Sequence, residues 1–321
     1  LKAVRLLATR AAVGPRRVGA QCSLSSTAMD RIARIARHVQ AEGARGSFAA
    51  EPTAATMSGP TPADDDVVVC CAVRTAVGKY KKGGLSSTPC EDMLVPLFKA
   101  ILQRTGIDPM KIQDAQIGNA LQPTAGGATT RIAQFLSSLP YEIPSVAVNR
   151  QCSSSLSAAA NTAAAIRAGI IDVGIAGGVE SMSMYPMFGQ VDIPKLSPRV
   201  KECENAANCL LSMGITSENV AAKWGISRET QDRMAVESHA KAIAAQNAGY
   251  FDEEIVPITT TVKDKQGNVK QVTVARDEGP REGVTMENLS KLKPAFKEGG
   301  STTPGNASQM SDGASMILMA R

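Results

Sequence analysis

Between Asp66 and Arg321 the apolar residues recur in two rhythms that alternate along the chain. Residues 67–73 (Val-Val-Val-Cys-Cys-Ala-Val) form a continuous apolar run, which predicts a strand buried on both faces. Met93, Leu94, Leu97, Phe98, Ile101 and Leu102 then repeat at helical spacing, with Gly106 where such a helix ends. Residues 112–121 suit a second strand, 131–136 a short helix and 145–148 a further strand. An Ala-rich helix follows over 156–168, closed by Gly169. Strands alternating with helices predict a layered α/β domain with mainly parallel pairing.

Past Met182 the rhythm changes. Met182, Met184 and Met187 are interleaved with Pro186, Pro194 and Pro198. Two helical stretches follow, one over 218–224 and one that begins at Ser227, a favourable N-cap, and runs to Gly249. The segment of about 182–250 therefore reads as an inserted loop domain. Residues 255–262 and 270–275, separated by a polar, Gly-containing stretch, predict a hairpin, and 316–319 a last strand.

The candidate chemistry lies in Val148-Asn149-Arg150-Gln151-Cys152-Ser153-Ser154-Ser155-Leu156. The pattern puts Cys152 between a strand and the start of the Ala-rich helix. A helix N-terminus presents unpaired N–H groups and the positive end of the helix dipole, which favour an anion. The thiolate is the nucleophilic form of cysteine, and the same N–H groups suit an oxyanion forming on an attacked carbonyl. These are the needs of an acyl-transfer enzyme. Cys22, Cys70, Cys71, Cys90, Cys203 and Cys209 have no such setting and read as packing residues or stay unassigned.

The motifs VNRQCSSSL, GIAGGVESMSMYPM, LLSMGITSENVA (Leu210 to Ala221) and GNASQMSDGA (Gly305 to Ala314) stand in an order that resembles the 3-ketoacyl-CoA thiolases, the peroxisomal branch above all. The likeness runs from about Asp66 to Arg321. It implies a thiolase-like layered α/β domain with an inserted loop domain, and Cys152 as the nucleophile that carries the acyl group. It also implies that Met213 faces the acyl or pantetheine tunnel and that Ser308 lies near the substrate thioester. Coenzyme A is then a substrate, with no metal or redox cofactor. Thiolases resemble two α/β halves face to face, the second supplying a Gly-His-Pro histidine, an Asn-Glu-Ala-Phe asparagine and a second cysteine. The sequence contains none of those motifs, and its two histidines are His38 and His239, the latter expected to be an ordinary packing residue. The expectation is thus that the second half is absent. The Ala-rich helix is left uncovered, so the chain pairs as a homodimer or with a full-length thiolase subunit. Two other readings stay open: a non-catalytic half that binds CoA esters, and a ketoacyl synthase. The second arises because Ser155 stands where the thiolase pattern has Gly.

Composition changes the picture at one point. The formal charge of +5 conceals a split, because residues 1–50 carry a net +7 and the remainder −2. The basic excess lies outside the folded part, which argues against a nucleic-acid partner. No apolar run has the length of a membrane span, and the irregularly spaced cysteines exclude a paired zinc-ligand pattern. Residues 1–28, basic and free of acid, resemble a mitochondrial transit peptide. Arg31-Ile32 and His38-Val39, after Met29, resemble an N-terminal peroxisomal targeting signal read by an import receptor. The localisation implied is the peroxisome, with the mitochondrion as the alternative. Residues 41–65 read as a linker.

Overall fold

The computed structural model describes residues 66–187, 191–263 and 267–321, so the leader and linker read at 1–65 lie outside the described residues. Strand β1 is Val68–Arg74 and the short β2 is Gly78–Lys79. Helix α1, Cys90–Thr105, carries Glu91 and Asp92 at its positive end and stops at left-handed Gly106, whose N–H reaches the Leu102 carbonyl. Next come β3 (Ala115–Gly118), α2 (Gly127–Leu136), β4 (Ser145–Val148), α3 (Ser154–Arg167) and β5 (Val173–Ser181). The chain then leaves the sheet through α4 (Glu204–Asn208), α5 (Met213–Trp224) and α6 (Arg228–Asn247). The hairpin of β6 (Ile258–Lys263) and β7 (Val269–Val274) and the short α7 (Met286–Ser290) precede the last strand, β8 (Ser311–Ala320).

The strand order is β1-β8-β5-β3-β4, with β2 also on β8. Two expectations are corrected here. Pairing is mixed: β3 runs parallel to β4 and β5, whereas β8 is antiparallel to β5 and β1. The cause is the long excursion over 182–310, which leaves at the end of β5 and re-enters at that same end, so the returning strand must run the other way. The first strand is not buried on both faces. It is an edge strand, with Val68 and Val69 49% and 55% exposed.

Two cores flank the sheet. On one side Met93, Leu94, Leu97, Phe98 and Ile101 of α1 are wholly buried against Ile117, Ile175, Met316 and Leu318. Each such side chain contributes roughly 1.5–3 kcal/mol by leaving water. On the other side α3 packs Ala158 and Ile166 over Ala176 and Met319. Only one face of α3 is covered, since Leu156, Ala160 and Ala164 are exposed.

Arg74, at the end of β1, ties the excursion to the sheet. It donates to both carboxylate oxygens of Asp277, at 2.7 and 2.9 Å, and to Glu254 at 2.7 Å. Burial alone would raise the Asp277 carboxyl, but the Arg74 guanidinium and the Val77 N–H outweigh it and hold it below the usual range. A lowered folded value means stability that is complete above the unfolded carboxylate value and lost as pH falls through the folded one. Asp277→Asn is therefore expected to lower stability by about 2 kcal/mol at pH 7, with the gap to wild type closing below about pH 4. Thermal unfolding at a series of pH values checks this, and a gap independent of pH would refute it. Leu156, 72% exposed on α3, belongs to a face that favours association. Light scattering is expected to show oligomers that Leu156→Glu reduces, and an unchanged size distribution would exclude this face.

Candidate active site

The parallel strands β3, β4 and β5 all end where β8 begins. Loops from four strands thus meet at one end of the sheet, the usual place for ligands in α/β proteins. The turn holding Cys152 is one of them. Residues 149–153 join β4 to α3, and their polar side chains close the turn on itself. Asn149 Oδ1 accepts the Gln151 N–H at 3.0 Å, and Ser153 Oγ donates to the Arg150 carbonyl at 2.9 Å. Ser154 Oγ accepts the Arg150 N–H at 2.9 Å and donates to the Gln151 carbonyl at 2.6 Å. Gln151 has φ of 50°, a left-handed backbone that costs a non-glycine residue about 1 kcal/mol or more. Cys152 follows it directly and is exposed. The Ser153 and Ser154 amides are already bonded to the Arg150 and Gln151 carbonyls at 3.1 Å, so neither is free for an oxyanion. The first turn of α3, from Ser155 onward, is what remains for that task.

Two glycines decide how close this turn can lie to the sheet. A Cβ on Gly118, in β3, would stand 2.4 Å from the Ser154 carbonyl carbon and the Ser155 nitrogen. A Cβ on Gly178, in β5, would stand 1.8 Å from Ser155 Oγ. Gly177 likewise lacks room, because its Cβ would meet the Ser315 carbonyl of β8 at 2.4 Å. Close approach of neighbouring elements is thus the role of Gly177 and Gly178.

The other candidates are spread over separate elements. Met213 is the first residue of α5, 58% exposed, behind Ser212, whose Oγ caps the helix through the Ile215 N–H. Ser308 is exposed in the segment that leads into β8. Among the described residues no hydrogen bond joins Cys152, Met213 and Ser308. His239, on α6, accepts the Arg281 N–H at Nδ1, and burial and the Arg281 charge lower its pKa, as suits a packing residue. Cys90 is buried, and burial with the nearby Glu180 and Glu91 charges pushes its thiol up to about 12, so it is inert. Cys70, Cys203 and Cys209 are exposed, contrary to a core role. Among the described residues no group of three His, Cys, Asp or Glu could hold a metal ion.

Sequence reasoning passed over three carboxylates. Glu180 accepts the Ala120 and Leu121 N–H groups at 2.9 and 3.3 Å and Asn119 Nδ2 at 3.1 Å, and burial still raises it. Asp312 accepts from Ser181 Oγ and from Ser183 N and Oγ, and burial likewise lifts it. Glu218, 5% exposed, takes the Ser301 and Thr302 N–H groups; burial pushes it up, but these donors prevail and it ends below the usual range. The available signal was the acid itself, standing at the end of an apolar strand or on a helix face in place of an apolar residue.

A sheet covered on both sides, with an exposed thiol on a glycine-cushioned strand-to-helix turn, defines a thiolase-type protein. Residues 67–321 match the family described as thiolase, N-terminal domain, and the chain belongs to the thiolase family. It is 47% identical over 297 residues to 3-ketoacyl-CoA thiolase A, peroxisomal, of Rattus norvegicus, spanning 92% of this chain and 67% of that protein. It is 49% identical over 262 residues to the peroxisomal 3-ketoacyl-CoA thiolase of Homo sapiens, spanning 82% and 61%. The dimeric peroxisomal thiolase of Saccharomyces cerevisiae superposes with a TM-score of 0.71 at 40% identity, over 81% of this chain and 65% of that one. For the acetyl-CoA acetyltransferase of Bacillus anthracis the TM-score is 0.67 at 34% identity, over 80% and 66%. The chain thus spans about two thirds of the length of these relatives.

The two glycine contacts predict unequal outcomes. Gly118→Ala meets backbone and is expected to cost about 2–3 kcal/mol and to slow iodoacetamide labelling of Cys152. Gly178→Ala meets chiefly the Ser155 side chain, so its smaller cost is expected to shrink in Gly178→Ala/Ser155→Gly, where the Gly118 carbonyl at 3.1 Å is the close contact left. Unfolding midpoints and mass-spectrometric labelling rates read both, and equal costs without rescue would refute the packing argument.

Proposed function

We propose that the chain forms the nucleophile-bearing part of a peroxisomal 3-ketoacyl-CoA thiolase, an acetyl-CoA C-acyltransferase of fatty acid β-oxidation. The observation that carries this reading is Cys152, exposed at the strand ends on a strained turn, in a chain of the thiolase family. The Cys152 thiolate attacks the C3 carbonyl of a 3-ketoacyl-CoA, and the carbonyl electrons move onto oxygen. As the carbonyl re-forms, the bond from C2 to C3 breaks. The electron pair stays on C2, which takes up a proton and leaves as acetyl-CoA. The acyl group remains as a thioester on Cys152 until the coenzyme A thiolate attacks it and releases a shortened acyl-CoA. Met213 and Ser308 are proposed to contact the acyl–pantetheine chain and the substrate thioester. Peroxisomal location follows the relatives' names, with the basic segment 29–39 as the address for the import receptor. Pairing as a homodimer follows the dimeric yeast relative.

Iodoacetamide is expected to label Cys152 at least ~10-fold faster than the exposed Cys70, with a 3-ketoacyl-CoA protecting Cys152 alone. Cys152→Ser should abolish any acyl adduct seen by mass spectrometry. Equal rates with no protection would overturn the catalytic reading. They would favour a non-catalytic role in which the chain pairs with a full-length thiolase.

A further inference from the structure

We propose that Glu180 is a positioning residue for Cys152, acting through the Ala120–Leu121 peptide and Asn149. The inference rests on Cys152 being the nucleophile, as proposed above. Glu180 lies near the end of β5, and its carboxylate crosses to the loop that leaves β3. Oε2 accepts the Ala120 N–H at 2.9 Å, and Oε1 accepts the Leu121 N–H at 3.3 Å. Oε1 also accepts Asn119 Nδ2 at 3.1 Å. The Leu121 N–H and the Ala120 carbonyl belong to one peptide plane, and in a trans peptide they point in opposite directions. Holding the N–H on Glu180 therefore aims the carbonyl away from it. That carbonyl accepts Asn149 Nδ2 at 3.3 Å.

Asn149 is thereby oriented, because an amide that donates through Nδ2 on one side presents Oδ1 on the other. Oδ1 accepts the Gln151 N–H at 3.0 Å, the contact that closes the turn around left-handed Gln151. A strained backbone persists only where its surroundings over-determine it. Here the surroundings form a chain: carboxylate, peptide plane, side-chain amide, strained residue, thiol. A carboxylate suits the first link because it is an acceptor only and takes the N–H donors of the loop together.

The experiment compares iodoacetamide labelling of Cys152 with that of Cys70 in the same folded chain, for wild type, Glu180→Gln, Asn149→Ala and the double variant. Each single change is expected to lower the Cys152-to-Cys70 rate ratio roughly fivefold, and the double variant no further, because the residues act along one path. A purely structural Glu180 would lower the unfolding midpoint and leave this ratio and its non-additivity unmoved. A ratio in Glu180→Gln within about twofold of wild type, or losses that multiply in the double variant, would overturn the proposal while Cys152 stays selectively labelled. A wild-type ratio near one would instead sink the nucleophile reading and this proposal with it. Should Glu180→Gln fail to fold, Glu180→Asp takes its place, with the same outcomes deciding.

Discussion

Everything at the candidate site depends on how closely the start of α3 lies against the sheet. Gly118 and Gly178 leave no room for a methyl group beneath Ser154 and Ser155. Because of that contact the turn before α3 projects from the strand ends and leaves Cys152 exposed. In the same turn Gln151 takes a left-handed backbone. The packing of two glycines and the strain of one glutamine are thus parts of one arrangement.

The turn is closed by side-chain bonds of Asn149, Ser153 and Ser154, and between distant elements much of the polar work falls to carboxylates. Removing a carboxylate from water is costly unless several donors replace the solvent. Glu180, Glu218 and Asp312 each meet that condition with N–H or hydroxyl groups from a loop distant in sequence. The result is a set of stitches: β5 to the loop after β3, α5 to the segment before β8, and β8 to the loop after β5. Their pKa directions follow the balance at each place. Burial prevails at Glu180 and Asp312, and the Ser301 and Thr302 donors prevail at Glu218.

The position of β8 gives these stitches their geometry. A strand that returns after the excursion over 182–310 slots between β1 and β5 and closes the sheet. The segment bearing Ser308 is thereby delivered to the end of the sheet where the Cys152 turn and the Glu180-bound loop stand. Met213 is presented from the excursion, on a helix that Glu218 fastens to residues 301–302.

Local pattern was enough to determine much of this protein. Helical spacing in α1, the alanine run of α3 and the Ser227 cap of α6 form within a few residues, so periodicity and capping reveal them. The setting of the candidate nucleophile was legible for the same reason, because a cysteine between a strand and a helix start is a local fact carried by contiguous residues. The tertiary structure alone decided which strands are edges, which way β8 runs, and which partners the buried acids find. Val68 and Val69 read as core until β1 proved to be an edge strand. Glu180 carried no assigned role, because its partners, Asn119 to Leu121, lie about sixty residues away. Contacts across such separations depend on the path of the backbone, and single-sequence patterns carry only the periodicity of each element, not the place where elements meet.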